Sequence, residues 1–363
     1  MQFISEHPYF FAERHQEVRA AAEAFAGRLR GTDTSIRARV RALGEAGLLR
    51  VGMSNDDTRA IALVRDALAY EDALDDLAFI IQELAGYPLH AVTQAGDVSF
   101  LPVLERARAG ESVLCFALTE PDAGSDVRAI TTRAVKHGDK YQLTGVKHYI
   151  SNAPEADVAV VFARHDDGVG CFLVEGDLPA TSQRVAGHSI GRLDFRDTPS
   201  RMLAARGFPL ALGALERCRP TVGAAALGLA RRAFDETCRH VSKREQFGAP
   251  LARLDVVRGR VAEMAVLLET AALACGHACW RRDTAGAGVR TGYESAVGKV
   301  TATEHALRVL DMAVQLHGAA GVDEDSLVQR LWREARPLTI YEGATDVLHT
   351  VIAGRWLPAG APP

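Results

Sequence analysis

Three patterns make this an α+β chain of several domains: apolar residues at helical spacing towards both ends, two-residue alternation in the middle, and turn residues that separate the alternating stretches. From Pro8 to about Ala109 apolar residues recur every three or four positions in Val18–Leu29, Ile36–Leu49 and Ile61–Leu84, which predicts a helical domain over residues 1–111. Between 112 and 205 the period falls towards two in Val113–Leu118, Tyr141–Thr144, Val158–Ala163 and Cys171–Val174, with Gly, Asp and Pro turns between them. That predicts a strand-rich middle domain. Over 206–363 long helical segments return near 209–242, 251–282, 291–317 and 324–334, with a last helix after Gly343. Long helices on short links predict a bundle, and the Pro/Gly tail Pro358–Pro363 is expected to fray.

Composition narrows the function. A chain of 363 residues with 48% hydrophobic residues can bury a substantial core, and a net charge of −4 with interspersed arginines gives no footprint for nucleic acid. No apolar run is expected to cross a membrane, and Met1–Arg14 lacks the basic start and apolar centre of a signal peptide, so a cytoplasmic location is expected. The six cysteines are scattered without a CxxC pair. Cys275 and Cys279 flank His277 one helical turn apart, which could suggest a metal, but without a second ligand pair they read as reduced core thiols. There is no GxGxxG and no GxxxxGK[ST], so a nucleotide-containing cofactor would need another kind of cradle.

The heptapeptide Ile340-Tyr341-Glu342-Gly343-Ala344-Thr345-Asp346 sets a lone carboxylate between an aromatic residue and glycine. Removing a proton beside a carbonyl needs a base of raised pKa, and burial beside apolar groups raises a carboxyl pKa. Taken alone, the same residues also read as the start of the last helix with Glu342 exposed.

Other segments join it in order: Phe116-Ala117-Leu118-Thr119-Glu120-Pro121-Asp122-Ala123-Gly124-Ser125-Asp126, Lys147-His148-Tyr149-Ile150-Ser151-Asn152, Lys243-Arg244-Glu245-Gln246-Phe247-Gly248 and Gln315-Leu316-His317-Gly318. The ordered set resembles the acyl-CoA dehydrogenase family over nearly the whole chain. The resemblance implies a β-barrel-like middle domain, a C-terminal four-helix bundle and FAD as cofactor. It implies that Phe116, Leu118 and Thr119 lie along the isoalloxazine, that Tyr149 covers the ring and that Ser151 bonds near N5. It places Arg244 at the FAD diphosphate of a neighbouring subunit, with Phe247, Gln315, Gly318, Thr345 and Asp346 on the rest of the cofactor. It places Ser125, Glu216, Arg219, Tyr341 and Gly343 near the thioester. An arginine suits a diphosphate by its bidentate geometry.

The implied reaction is α,β-dehydrogenation of an acyl thioester. Glu342 would take the α-proton, while its N–H and a ribityl hydroxyl polarise the carbonyl. One branch of the family carries its base just before the arginine instead, and Cys218 stands there, leaving Glu342 as the candidate. The chain departs from the family pattern at Ala319, Asp255 and Ala344, and Gly187–Phe208 and Gln94–Pro102 are short for it. Such trimming leaves a carrier-protein thioester as a rival to acyl-CoA. Expected partners are an electron-transfer flavoprotein or oxygen as acceptor, and further copies of the chain in a homodimer or homotetramer. Two other classes compete: an oxygen-using oxidase or monooxygenase on the same fold, and a flavin-poor, non-catalytic paralogue.

Overall fold

The computed structural model describes residues 9–29, 35–54, 56–166, 168–186, 188–286 and 289–357. The Pro358–Pro363 tail and Gly187, on which two expectations fell, lie outside them. In chain order the helices are α1 (Glu13–Phe25), α2 (Ile36–Glu45), α3 (Arg50–Met53), α4 (Thr58–Glu71), α5 (Ala73–Gln94), α6 (Leu101–Arg108), α7 (Gly207–Lys243), α8 (Asp255–Thr284), α9 (Gly292–His317), α10 (Leu327–Ala335) and α11 (Thr345–Ala353). The strands are β1 (Leu114–Ala117), β2 (Arg133–His137), β3 (Lys140–Ser151), β4 (Val158–His165), β5 (Gly168–Glu175), β6 (Ala180–Val185), β7 (His188–Ala204), β8 (Glu245–Gln246) and β9 (Ala249–Pro250). They fall into two compact units, one drawn from Met1–Gly27, Asp57–Asp76 and Arg219–Pro363, the other from Arg28–Asp56 and Leu77–Cys218.

In the sheet-containing unit, β4 pairs with β5, β5 with β7, β7 with β3, β3 with β2, and β2 returns to β4 through Arg133 and Arg164. The sheet therefore closes on itself as a barrel, with β1 added beside β4 and β6 beside β7. Alternation explains the closure. Cys115 and Ala117, Ala159, Val161 and Ala163, Phe172 and Val174 and Leu193 and Phe195 all turn into one core.

In the helical unit, α4, α7, α8, α9 and α10 share a core in which Ala62, Leu63, Val222, Leu229, Met264, Leu268, Ala302, Leu310 and Leu338 are buried. α4 is buried nearly all round, so it accepts neighbours on every side. Gly228 lets α7 approach closely, since a Cβ there would lie 2.5 Å from the Asp66 carbonyl oxygen. Buried Asp66 is matched by Arg231 at 2.8 Å. The expectation that no run is long and apolar enough for a membrane needs correcting: by length and composition, α8 is. Its apolar residues Met264, Leu267, Leu268, Ala271, Ala272 and Cys275 are spent on this core, which gives the same composition.

The predicted helix 61–84 is two helices. Asp72 is extended (φ −154°, ψ 123°), and its carboxylate accepts from the Leu74 N–H at 2.8 Å, ending α4 and starting α5.

Candidate active site

Glu342 lies in the turn between α10 and α11. After the short 3-10 turn Arg336–Thr339 the chain reverses, with Tyr341 N–H donating to the Pro337 carbonyl at 3.1 Å. Glu342 and Gly343 then take φ of 53° and 105°. A non-glycine residue in that region costs about 1–3 kcal/mol, so surrounding contacts must hold it there. They do: the Arg219 Nε donates to the Glu342 carbonyl at 3.0 Å, and the Lys299 Nζ donates to the Gly343 carbonyl at 2.9 Å. Gly343 is required by its φ and by Leu348, whose Cδ2 a Cβ would meet at 2.9 Å.

One oxygen of the carboxylate is left unbonded. Glu342 is half-buried, while its Oε2 is shielded from solvent and has no hydrogen-bond partner among the described residues. Burial drives its pKa above the ordinary carboxylate value. Arg65, Arg219 and Lys299 pull it back without overcoming that, and Asp76 adds to the rise. Arg65 is fully buried and holds Asp76 by two bonds of 2.8 and 2.9 Å and the Thr221 hydroxyl at 3.1 Å. Burial opposes its charge, yet Asp76 more than offsets this and holds the guanidinium above its usual value. Burial brings the Lys299 ammonium down to about 8 against the pull of Glu342, with Arg219 adding to the fall.

Of the residues predicted for this part, Glu342, Gly343 and Arg219 come together. Tyr341 precedes them with its side chain partly exposed. Lys299, Arg65 and Asp76 were missed. The available signal was a charge set among apolar neighbours, as in Ile61-Ala62-Leu63-Val64-Arg65 and Ala296-Val297-Gly298-Lys299.

In the same unit α7 ends next to Arg244, whose N–H donates to the His240 carbonyl at 2.8 Å. His240 stacks on His317 with ring centroids 4.2 Å apart, which brings the Arg244 segment to the Gln315–Gly318 end of α9. Neither histidine was singled out from sequence. Phe247 and Gly248 form the two-residue turn of the β8–β9 hairpin with φ of 54° and 80°, and the Phe247 side chain is 93% exposed. Gln315 and Gly318 are exposed, and Gly318 has φ 63° and ψ −138°. Thr345 donates to the Thr339 carbonyl at 3.3 Å and Asp346 lies in the first turn of α11. Both line an open cavity of about 730 Å³ shared with Arg260, Arg308 and Arg336; Arg244, Gln315 and Gly318 do not line it.

The barrel unit holds the remaining candidates. Beyond β1, the Glu120 carboxylate accepts from Thr131 N–H at 2.6 Å, the Thr131 hydroxyl at 2.8 Å, Thr132 N–H at 2.9 Å and the Lys147 Nζ at 2.8 Å. Lys147 also donates to the Leu118 carbonyl at 2.9 Å, and His148 N–H donates to the Thr119 carbonyl at 3.0 Å. The strand end carrying Leu118 and Thr119 is thus fastened to β3. Burial works against the Glu120 charge, but bonds from Lys147 and Thr132 hold its pKa at about 2.

Where β3 pairs with β7 the register slips between Lys147 and Ile150, and Tyr149 sits in that irregularity at φ 58°. Its side chain is 57% exposed and stacks on His148 at 4.1 Å. Phe116 packs its ring 5.0 Å from Phe162, Leu118 is buried, and Thr119 and Ser151 are half-buried. Ser125 and Glu216 are exposed and Cys218 is buried. An exposed aromatic face with hydroxyl groups on neighbouring strand ends has the chemistry to receive a planar ring with polar edges.

Comparison with known proteins fits this arrangement. The family model "Acyl-CoA dehydrogenase, middle domain" matches residues 115–200, and "Acyl-CoA dehydrogenase, C-terminal domain" matches residues 205–357. The chain is 29% identical to 3-(aryl)acrylate reductase of Clostridium sporogenes, covering 96% of this chain and 100% of that protein. It is 32% identical to cyclohexane-1-carbonyl-CoA dehydrogenase of Geobacter metallireducens, over 82% of this chain and 81% of that one. The structure of butyryl-CoA dehydrogenase from Megasphaera elsdenii aligns with a TM-score of 0.83 at 26% identity, over 95% of this chain and 98% of that one.

Proposed function

The chain belongs to the acyl-CoA dehydrogenase family, and from that premise we propose that it catalyses α,β-dehydrogenation of an acyl thioester with Glu342 as the base. It is an oxidoreductase acting on CH–CH bonds, and FAD is its cofactor. The observation that carries the base assignment is the Glu342 Oε2: shielded, unbonded and displayed on a turn that two cations hold by its backbone. Such an oxygen is ready to accept a proton. When bound, FAD supplies the acceptor for the hydride that leaves the β-carbon. Glu342 takes the α-proton, and its own N–H donates to the thioester oxygen as enolate charge develops.

Phe116, Leu118, Thr119, Tyr149 and Ser151 would hold the ring, and Arg244, Phe247, Gln315, Gly318, Thr345 and Asp346 the diphosphate and adenosine. Ser125, Glu216, Arg219, Tyr341 and Gly343 would serve the thioester, carried by CoA or by a carrier protein. The assembly is a homodimer or a dimer of such dimers, with an electron-transfer flavoprotein or oxygen as acceptor. Similarity to a reductase over 96% of this chain supports the reverse reaction at the same site, in which Glu342 returns a proton to the α-carbon.

The test is anaerobic flavin bleaching against saturated acyl-CoA and acyl-carrier-protein thioesters, and re-oxidation by the matching enoyl thioesters. Bleaching by at least one saturated thioester is expected; a flavin-replete protein that none of them reduces would overturn the reading. Arg244→Ala is expected to purify with most of its FAD lost, since the guanidinium is the bidentate partner for the diphosphate. Full FAD occupancy of that variant, read from its visible spectrum, would remove Arg244 from the cofactor site.

A further inference from the structure

Lys299 is fully buried in the middle of α9, where Ala296, Gly298, Ala302 and Thr303 are buried with it. A lysine is seldom placed out of water unless its charge has an occupation. Its hydrogen bond runs to the Gly343 carbonyl, one residue beyond the carbonyl held by Arg219. Two successive carbonyls of the base-bearing turn are therefore gripped by cations from different helices, α9 and α7. Neither cation bonds to the Glu342 Oε2. Their hydrogen bonds act on the backbone, while their charges act through space on the carboxylate.

We propose that Lys299 is a positioning residue for the base: its ammonium fixes the Gly343 carbonyl, holding Glu342 in its left-handed turn, and sets a positive charge beside the carboxylate. This rests on Glu342 being the base. The charged and titratable groups facing the pair are Arg65, Asp76, Tyr341, Arg219 and Glu304. Arg65 and Arg219 stay charged through the accessible pH range. Lys299, brought down to about 8 by burial, does not. Above that pH the Gly343 carbonyl loses its charged donor, and the reductive rate acquires an alkaline limb.

Three substitutions separate the contributions: Lys299→Arg keeps the charge, Lys299→Gln keeps a donor without charge, and Lys299→Met keeps neither. Reduction of the flavin by butyryl-CoA, or by the fastest thioester of the panel above, is followed anaerobically against pH. K299Q and K299M are expected to reduce about 10²-fold more slowly, as a misplaced catalytic group does, with FAD content and KM preserved. Their acid-side ionisation moves to higher pH, because the carboxylate has lost a neighbouring cation. K299R should retain most of the rate and lose the alkaline limb. A K299Q enzyme with the wild-type rate and profile, or a K299R enzyme that keeps the alkaline limb, overturns the proposal. If K299Q and K299M fail to fold, the K299R profile decides.

A readout without turnover keeps this apart from the base assignment. The pH at which the melting gain of E342Q over the parent protein levels off marks the ionisation of folded Glu342, and in a K299R background it stays in place while in a K299Q background it rises. An unmoved ionisation in K299Q sinks the Lys299 inference alone. A wild-type reductive rate in E342Q sinks the base assignment and, with it, the role of Lys299.

Discussion

Glu342→Gln is expected to bind FAD and thioester as the parent does while its flavin reduction falls by about 10² to 10⁴-fold, the contribution of a positioned general base. Glutamine preserves the shape of the side chain in its half-buried setting and removes the proton acceptor. The parent's reductive rate should rise with pH through an ionisation above the ordinary carboxylate value, because burial of Glu342 outweighs the pull of Arg65, Arg219 and Lys299. The variant should lack that ionisation. Stability gives an independent sign. A carboxyl whose pKa is raised on folding contributes stability below its unfolded pKa and loses it as pH rises through the folded value. The melting temperature of E342Q should therefore gain on the parent's as pH rises through that window and not below it. Reduction at the parent rate would move the base elsewhere, and with a buried thiol at Cys218 the dehydrogenase reading itself would fall.

Much of the frame could be read from periodicity because its causes are local. The strand runs at Val158–Ala163 and Cys171–Val174 lie within β4 and β5, and the long C-terminal segments became α7, α8 and α9 within a few residues. Local capping chemistry accounts for the boundaries that moved. The predicted helix 36–49 stops at Glu45 because Gly47 takes φ 74° and the Leu48 N–H turns back to the Leu43 carbonyl, a Schellman ending. Closure of the barrel was less legible, since β5 pairs both β4 and its distant partner β7.

The site divides in the same way. Glu342 stood out because an aromatic residue and a glycine flank it in sequence. Lys299 did not, because its partner lies 44 residues away, and Arg219 meets the Glu342 carbonyl across 123 residues. No short window contains such pairs. The left-handed backbones of Tyr149, Phe247 and Glu342 were equally hidden: these residue types rarely adopt φ above zero, and only the surrounding fold makes them do so. Asn152, Ala186 and Asp197 share such a backbone outside the candidate set, so the strain is divided between the candidate residues and the scaffold.

Lys147→Met is the second large effect expected, and it falls on the barrel. Lys147 is fully buried and the Glu120 side chain is 4% exposed, so removing the cation leaves a carboxylate with no way to regain water. Breaking one side of such a pair costs about 3–5 kcal/mol. It also frees the Leu118 carbonyl, so the strand end bearing Leu118 and Thr119 loosens and FAD affinity falls with stability. Glu120→Gln should be milder, since it leaves no buried carboxylate charge and its one carbonyl oxygen can still accept from the Thr131 N–H and hydroxyl, and the E120Q/K147M pair should recover part of the loss, as coupled residues do. The pH signature follows from Glu120. Its folded pKa of about 2 lies below the unfolded value, so its contribution is complete above about pH 4.5 and is lost as pH falls towards 2. Thermal melting between pH 2 and 7 should show that acid-side loss in the parent and a flattened one in E120Q. A K147M protein that melts and holds FAD like the parent would show that the Glu120–Lys147 pair neither supports the barrel nor fastens the strand end.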